Sequence, residues 1–208
     1  MMTEINGVSI RLETSKEVFS PSGVDKGTAA MLSQADIKYG DKVLDLGCGC
    51  GIVGIYAAKI AGEENVVMTD ILPAAVQLSK KNVLLNGMKN IPVYIGRGYE
   101  NITESDFSLI LSNPPYHTDF SVAKEFIEGG YKRLSAGGRM IMVTKRLEWY
   151  KNKFISVFGG VRIREIDGYY VFIAEKRNGI KKKPVKSKPL MSKKLMRKYT
   201  RQKSGDKI

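Results

Sequence analysis

Residues 43–51 read VLDLGCGCG, an apolar strand that runs directly into a glycine loop. Glycines at alternate positions permit a tight turn and let a ligand approach the backbone closely. Asp70 closes the next apolar run, 19 residues after Gly51, where a carboxylate can accept hydrogen bonds from ribose hydroxyls. The loop lacks the third glycine of a dinucleotide site and the Gly-Lys-Ser/Thr of a phosphate-binding loop. The pattern favours another ribose-containing ligand over a strand–helix turn that binds nothing.

Predicted strands and helices alternate on the C-terminal side of this loop. The helix starts and stops follow ordinary rules, with Pro73 opening one helix and Gly87 following its end. Gly137-Gly138 is expected to stop another. The predicted strands are residues 42–46, 65–70, 91–95, 107–112 and 139–144, and the predicted helices are 52–61, 73–86, 119–134 and 146–158.

The chain then changes from this alternation to two β-rich runs, residues 161–166 and 169–174. Asp167-Gly168 between them is a two-residue hairpin signal. Strands that alternate with helices form a mostly parallel sheet with right-handed crossovers. We therefore predict an α/β fold with a seven-stranded, mostly parallel sheet, a C-terminal antiparallel hairpin and helices on both faces.

Three parts are expected along the chain. Residues 1–40 form an N-terminal prelude, in which 8–12 alternates like a strand, 21–23 form a turn and Asp25 caps a helix over 27–35. Residues 41–176 form the main domain. Residues 177–208 contain Lys181-Lys182-Lys183-Pro184 and Pro189 and are predicted to be a basic tail.

Positive charge is concentrated in this tail. The chain of 208 residues has 34 basic and 21 acidic side chains. Residues 177–208 hold 13 of the basic and one of the acidic ones, so the remainder is nearly neutral. A basic tail on a neutral body indicates a polyanionic partner, most commonly the phosphate backbone of nucleic acid. The alternative is a solvated tail without a partner.

The cysteines exclude several classes of protein. Cys48 and Cys50 are the two in the chain, too close in sequence for an ordinary stabilising disulfide. With a single histidine in the chain they cannot complete a tetrahedral zinc site, so we expect no metal. No run approaches eighteen apolar residues and the N-terminus has no signal pattern. We expect a protein of the reducing cytoplasm with no membrane span.

The tetrapeptide Asn113-Pro114-Pro115-Tyr116 follows the fourth predicted strand. Its prolines remove two backbone donors and stiffen the loop, which leaves the Asn113 side-chain oxygen and the Pro114 carbonyl as acceptors. Two acceptors can bind both hydrogens of one planar amine and direct its lone pair out of the plane. Tyr116 can stack on a planar group. The tetrapeptide therefore predicts chemistry on a conjugated nitrogen.

Together, the glycine loop and this tetrapeptide resemble the class I S-adenosylmethionine-dependent methyltransferases, which have a Rossmann-like fold. The resemblance implies that the loop lines the methionine part of the cofactor, that Asp70 binds the ribose, and that Ile71 and Arg97 lie against the adenine. The cofactor-binding residues expected on this basis are Asp45, Gly47, Cys48, Gly49, Gly51, Asp70, Ile71 and Arg97. The tetrapeptide resembles the signature of enzymes that methylate exocyclic or amide nitrogens, with Asn113, Pro114, Pro115 and Tyr116 as catalytic residues.

A narrower resemblance comes from VFSPSGVDKGT at residues 18–28, from His117, and from Gly129-Gly130 and SAGG at 135–138. These match the small-domain (MTS) methyltransferases that modify guanine N2 of small-subunit ribosomal RNA. The resemblance implies substrate contacts by Phe19, Tyr116 and His117. His117 can take up the proton released after methyl transfer, or it can hydrogen-bond the loop or an RNA phosphate.

The sequence thus predicts an S-adenosyl-L-methionine-dependent N-methyltransferase for an exocyclic amine of RNA, with ribosomal RNA or the small subunit bound through the tail. Methylation of adenine N6 in tRNA or DNA uses the same tetrapeptide and stays an alternative. So does methylation of a protein glutamine side chain. A protein of another class, an RNA-binding assembly factor that retains the fold without catalysis, is the third. The sequence does not decide the oligomeric state.

Overall fold

The structure is a computed structural model that describes residues 1–15, 24–114 and 120–177. The predicted turn at 21–23 and nearly all of the predicted tail lie outside these residues. The described strands are β1 (Met2–Ile5), β2 (Val8–Arg11), β3 (Val43–Leu46), β4 (Val66–Asp70), β5 (Val93–Ile95), β6 (Phe107–Ser112), β7 (Leu134–Thr144), β8 (Arg162–Ile166) and β9 (Tyr169–Glu175). The described helices are α1 (Lys26–Leu32), α2 (Ile52–Ala61), α3 (Pro73–Leu85), α4 (Phe120–Arg133) and α5 (Glu148–Phe158).

Seven of the strands form one sheet in the order β5-β4-β3-β6-β7-β9-β8. The pairs from β5 to β7 are parallel, and β9 is antiparallel to both β7 and β8. The predicted fold is confirmed, including the hairpin at Asp167-Gly168, where both residues have positive φ. Because β3 has β4 on one side and β6 on the other, the strand order reverses at β3. Ligands of open α/β sheets bind at such a point, beyond the carboxyl ends of the strands.

Alternate residues of the central strands face opposite sides of the sheet and build two hydrophobic clusters. Val43 of β3 packs in one cluster with side chains of α1, α2 and α3, whereas Leu44 packs in the other with side chains of α4 and α5. All four residues of β3 are buried, as expected for a strand covered on both faces. The sheet therefore has helices on both sides.

The N-terminal residues form a hairpin that the sequence analysis found only in part. β1 pairs antiparallel with β2, and the turn between them is Asn6-Gly7, with φ of 47° and 80°. Asn-Gly between alternating residues is a strong hairpin signal, so this pair could have predicted β1. Ile5 and Ile10 of the hairpin pack in the same cluster as α2. None of the described helices is long and apolar enough to cross a bilayer.

Two predicted boundaries were wrong by three residues or more: α1 ends at Leu32 instead of at residue 35, and the strand predicted over 139–144 begins at Leu134. α4 ends at Arg133 and β7 begins at once, so Gly137-Gly138 lies inside a strand and does not stop the helix. Phe107 pairs with Leu134 but Leu109 pairs with Arg139, which leaves a bulge in β7 at the glycines. Gly137 has a φ of 79°, and a Cβ on Gly138 would meet the Phe107 carbonyl oxygen at 2.7 Å. The glycines thus serve the bulge.

Candidate functional site

A cavity of about 600 Å³ opens beyond the carboxyl ends of β3, β4 and β6, at the point where the strand order reverses. It brings together nine residues that the sequence analysis assigned to cofactor or catalysis: Asp45, Gly47, Cys48, Gly49, Asp70, Ile71, Arg97, Asn113 and Pro114. Phe19, Pro115, Tyr116 and His117 lie outside the described residues. Gly51 is described but does not line the cavity; it is the N-cap of α2.

The glycine loop is pinned to β4. The backbone N–H groups of Gly47 and Cys48 both donate to the Thr69 carbonyl at 2.9 Å. Gly49 N–H donates to Asp70 Oδ2 at 2.9 Å, and Leu72 N–H donates to Asp70 Oδ1 at 2.9 Å. These bonds set the carboxylate of Asp70 beside the loop. Since each carboxylate oxygen can accept more than one hydrogen bond, Asp70 retains the capacity to bind a diol.

Asp45 is a carboxyl group in the cavity wall that is 2 % exposed. Burial raises its pKa to about 7, and the nearby charge of Asp70 adds to the increase. The N–H of Gly54, in the first turn of α2, donates to its Oδ2 at 2.8 Å and opposes the shift. A positively charged ligand in the cavity would favour the ionised form of this group.

The two cysteines are small buried residues of the loop. Cys48 and Cys50 are each 5 % exposed, and burial raises the pKa of both thiols above their ordinary range. Cys48 Sγ lies 3.4 Å from Ser79 Oγ. Within residues 1–15, 24–114 and 120–177, no group of three or more His, Cys, Asp or Glu side chains could hold a metal ion.

Two polar residues of α3 support the loop from behind, and sequence reasoning missed both. The Ser79 hydroxyl donates to the Gly49 carbonyl at 2.8 Å, and Asn82 Nδ2 donates to the Cys50 carbonyl at 2.8 Å. Both side chains are completely buried. Asn82 also exchanges hydrogen bonds with both backbone groups of Glu13, at 2.7 and 3.0 Å. Polar residues three apart on an otherwise packed helix face are the signal that could have revealed them.

The opposite wall carries Asn113 and Pro114, which directly follow β6. Ser112 Oγ donates to the Leu46 carbonyl at 2.8 Å, so the ends of β6 and β3 are held together. Asn113 Nδ2 donates to Asp25 Oδ2 and to Thr28 Oγ1, each at 3.0 Å. Asp25 was predicted only as a helix cap. The structure adds that Asp25 and Thr28 line the cavity beside Asn113.

Arg97 borders the cavity from the loop after β5. Gly96 N–H donates to the Asp70 carbonyl at 3.0 Å, which places this loop beside the end of β4. The Arg97 side chain is exposed and its Nε donates to Glu125 of α4 at 3.0 Å. Ile71, on the same rim, is 59 % exposed. An apolar side chain and a paired guanidinium can pack on the two faces or edges of a planar ring.

Comparison with known families agrees with this geometry. The sequence model of the methyltransferase small domain matches residues 9–173. The chain belongs to the methyltransferase small-domain family. The small-domain methyltransferase family that the sequence analysis inferred is therefore confirmed.

Relatives within this family include ribosomal RNA small subunit methyltransferases C. The protein of that name from Serratia proteamaculans is 30 % identical over 182 residues, 84 % of this chain and 52 % of the relative. The one from Haemophilus influenzae is 38 % identical over 130 residues, 61 % of this chain and 39 % of the relative. This methyltransferase small-domain chain thus spans about half the length, or less, of the curated relatives it matches.

Solved structures of other methyltransferases also resemble this chain. A 16S rRNA N2 methyltransferase from Thermus thermophilus, in complex with AdoMet and guanosine, is 28 % identical with a TM-score of 0.78, and the match covers 85 % of this chain and 50 % of that one. A methyltransferase from Pyrococcus furiosus is 17 % identical with a TM-score of 0.69, over 81 % and 89 % of the two chains, and shows the shared fold.

Proposed function

We propose that this chain is an S-adenosylmethionine-dependent N-methyltransferase that acts on an exocyclic base amine of RNA, guanine N2 of small-subunit ribosomal RNA. One observation carries the proposal: a single cavity has the glycine loop and Asp70 on one wall and Asn113 with Pro114 on the other. Relatives named for methylation of small-subunit ribosomal RNA, one of them an N2 enzyme, favour the guanine amine. Such a substrate also favours a cytoplasmic location.

The wall formed by the glycine loop and Asp70, called the cofactor wall below, has the chemical groups that S-adenosylmethionine requires. Asp70 offers acceptor oxygens for a ribose diol, and Asp45 offers a buried carboxyl for an ammonium group. Gly47, Cys48 and Gly49 approach the ligand with backbone, and Ile71 with Arg97 borders the adenine. Gly51 contributes by starting α2 rather than by lining the cavity. When bound, the cofactor supplies a methyl group on a positively charged sulfur.

The wall formed by Asn113 and Pro114, called the amine wall below, orients the target amine. In our proposal the Asn113 side-chain oxygen and the Pro114 carbonyl each accept one hydrogen of the target amine. Its lone pair then points out of the base plane toward the cofactor wall, and proximity supplies much of the rate. The nitrogen that gains the methyl group must lose a proton, which His117 or water accepts. Pro115 stiffens this loop, while Tyr116 and Phe19 pack on the base.

RNA contacts outside the cavity have two sources in this proposal. The basic tail, which lies outside the described residues, binds phosphates and anchors the RNA. A stacked group links the start of α4 to the start of α5: the ring centres of Trp149 and Phe120 lie 4.3 Å apart, and the Arg146 guanidinium lies 4.9 Å from the Phe120 ring centre. Phe120 is next to Ser121, which lines the cavity. Such aromatic and guanidinium surfaces stack on unpaired bases.

The proposal is tested by methyl transfer from labelled S-adenosylmethionine into unmodified ribosomal RNA and into small subunits, followed by mass spectrometry of the nucleosides. N2-methylguanosine is the expected product. N6-methyladenosine would support the same mechanism but would show that adenine, and not guanine, is the target base. Label in protein glutamine would support the protein substrate, and bound cofactor without transfer to any acceptor would support the assembly factor.

A further inference from the structure

The side-chain amide of Asn113 is held by two acceptors on the first turn of α1. Its nitrogen Nδ2 donates to the Asp25 carboxylate and to the Thr28 hydroxyl, each at 3.0 Å. The two acceptor oxygens lie only 2.6 Å apart, so both are reached by the same side of the amide nitrogen, in a three-centre hydrogen bond. The partners lie 88 and 85 residues away in the sequence. The contacts therefore tie α1 to the carboxyl end of β6, at the amine wall.

Asp25 and Thr28 form a rigid pair within α1 itself. The Thr28 hydroxyl donates to Oδ2 of Asp25 at 2.6 Å. Oδ1 accepts the backbone N–H groups of Gly27 and Thr28 at 2.8 and 3.2 Å, so Asp25 is the N-cap of the helix. Thr28 is only 4 % exposed, and water competes little for its hydroxyl. The helix thus determines where both acceptors point.

This pair determines which end of the Asn113 amide faces it. A carboxylate has no donor, and the hydroxyl hydrogen of Thr28 is already directed at Asp25. If the amide turned over, its oxygen would meet the Asp25 oxygen and the Thr28 oxygen, both acceptors, and two hydrogen bonds would be replaced by repulsion. The nitrogen end of the Asn113 amide therefore faces Asp25 and Thr28, and the oxygen end is turned away from them.

We propose that Asp25 and Thr28 are positioning residues that restrict Asn113 to accepting hydrogen bonds at the reaction site. This rests on the proposed function, in which Asn113 binds the target amine. An unrestrained asparagine can present either its N–H groups or its oxygen to a ligand. With the nitrogen end held at Asp25 and Thr28, the oxygen is the end of the amide that Asn113 presents to the target, so it selects an N–H donor such as an exocyclic amine over a carbonyl oxygen such as guanine O6.

The test compares two hydroxyl deletions in the same helix region. Thr28→Val keeps the side-chain shape and the Asp25 cap, whereas Ser33→Ala removes a hydroxyl that donates to the Ala30 carbonyl at 2.8 Å, away from the cavity. We expect Thr28→Val to lower kcat about tenfold, with Kd for S-adenosylmethionine and Tm changed no more than in Ser33→Ala. Equal kcat values for the two variants would overturn the proposal.

A second variant removes the carboxylate but keeps a helix cap. Asp25→Ser retains a good N-cap residue that is too short to reach Asn113, and we expect kcat to fall about a hundredfold. In an Asn113→Ala background neither substitution should lower the residual single-turnover rate further, because both act through Asn113. A further loss of the same size in that background would show an effect by another route and would contradict the proposal.

The amide itself gives a readout that does not need activity. Heteronuclear NMR, assigned by comparison with Asn113→Ala, should show slow hydrogen exchange of the Asn113 side-chain amide in the natural chain and faster exchange in Thr28→Val. Unchanged exchange would overturn the proposal even if kcat fell. If the amide exchanged slowly but the chain methylated no acceptor, the proposed function would be wrong, whereas the restraint on the Asn113 amide would still hold.

Discussion

At the scale of single residues, the cavity contains a buried carboxyl group whose pKa lies near neutral pH. Asp45 lines the cavity, and burial raises its pKa to about 7. S-adenosylmethionine has an ammonium group and a sulfonium, and a positive charge nearby lowers the pKa of a carboxyl group. Asp45 should therefore be partly protonated in the ligand-free protein near neutral pH and ionised when the cofactor is bound.

The first prediction is proton release on cofactor binding near pH 7. Titration calorimetry in two buffers of different ionisation enthalpy should give a net release of a fraction of a proton by the natural chain. Asp45→Asn, which keeps an acceptor for the Gly54 N–H but does not titrate, should release none. If the natural chain also released none, the assignment of Asp45 to the ammonium would be wrong.

The second prediction concerns stability without the cofactor. Because the pKa of Asp45 is raised, the folded chain binds more protons than the unfolded chain between pH values of about 4 and 7. The contribution of Asp45 to the free energy of unfolding is therefore largest at low pH and is lost as pH rises through about 7. Urea denaturation across this range should show the natural chain losing unfolding free energy relative to Asp45→Asn. If the unfolding free energies of the two chains changed equally with pH, the pKa of Asp45 would not be raised.

At the scale of elements, the site depends on how the glycine loop joins α2 and α3. Gly51 has a φ of 84°, and a Cβ there would lie 3.0 Å from Ser79 Oγ and 3.3 Å from the Ser79 backbone. Gly40 has the same φ of 84°, but a Cβ there would meet nothing within 4 Å. Alanine substitutions at Gly40 and Gly51 therefore distinguish the cost of backbone strain from the cost of crowding against α3.

The third prediction compares alanine at these two glycines. Gly40→Ala should cost about 1 kcal/mol of unfolding free energy through strain alone, and Gly51→Ala about 3 kcal/mol, because crowding adds to the strain. Gly51→Ala should also weaken cofactor binding, since the loop must shift, whereas Gly40→Ala should not. Equal losses of unfolding free energy in the two variants would mean that α3 shifts to accommodate the added methyl group at little cost.

The fourth prediction concerns two asparagines near the end of α3, Asn82 inside the helix and Asn86 at its C-cap. Asn82→Ala removes hydrogen bonds to Cys50 and Glu13 in a fully buried position and should cost about 3 kcal/mol. Asn86→Ala removes more exposed bonds to Arg11 and should cost about 1 kcal/mol. Only Asn82→Ala should also raise the Kd for S-adenosylmethionine. A change in Kd with Asn86→Ala would place the effect in the N-terminal strand rather than in the loop.

The elements differ in how far local sequence predicts them. The bounds of α2 were predicted correctly because its start at the glycine loop and its stop at Gly62 are both local signals. Gly137-Gly138 misled, since whether glycines end a helix or form a bulge depends on the facing strand β6. The contact of Asn113 with Asp25 spans 88 residues, and no local pattern encodes such a pairing. The residues of both walls were thus predictable, but the hydrogen bond that ties Asn113 to the start of α1 was not.

At the scale of the whole molecule, the sheet order brings two distant segments to one cavity. The glycine loop after β3 and Asn113 after β6 are neighbours because β3 and β6 pair in parallel, with Asp45 beside Leu111. In the proposed function, cofactor binding and amine binding are separate tasks of these two walls. In the proposed function the basic tail adds a third task, the binding of RNA phosphates.

The fifth prediction separates the tail from the walls. A chain that ends at Arg177 loses 12 of the 13 basic side chains in residues 177–208. Its RNA affinity should fall, and the salt dependence of binding should become less steep, because fewer counterions are released. Its Kd for S-adenosylmethionine should stay the same. An unchanged salt dependence would assign RNA binding to the body of the protein.

The division of labour between the two walls is tested most directly by Asn113→Ala, measured for cofactor binding and for methyl transfer in the same preparation. We predict an unchanged Kd for S-adenosylmethionine and a loss of at least about a hundredfold in the single-turnover rate on unmodified ribosomal RNA. Loss of both in equal measure, or retention of the rate, would contradict the assignment of Asn113 to the amine.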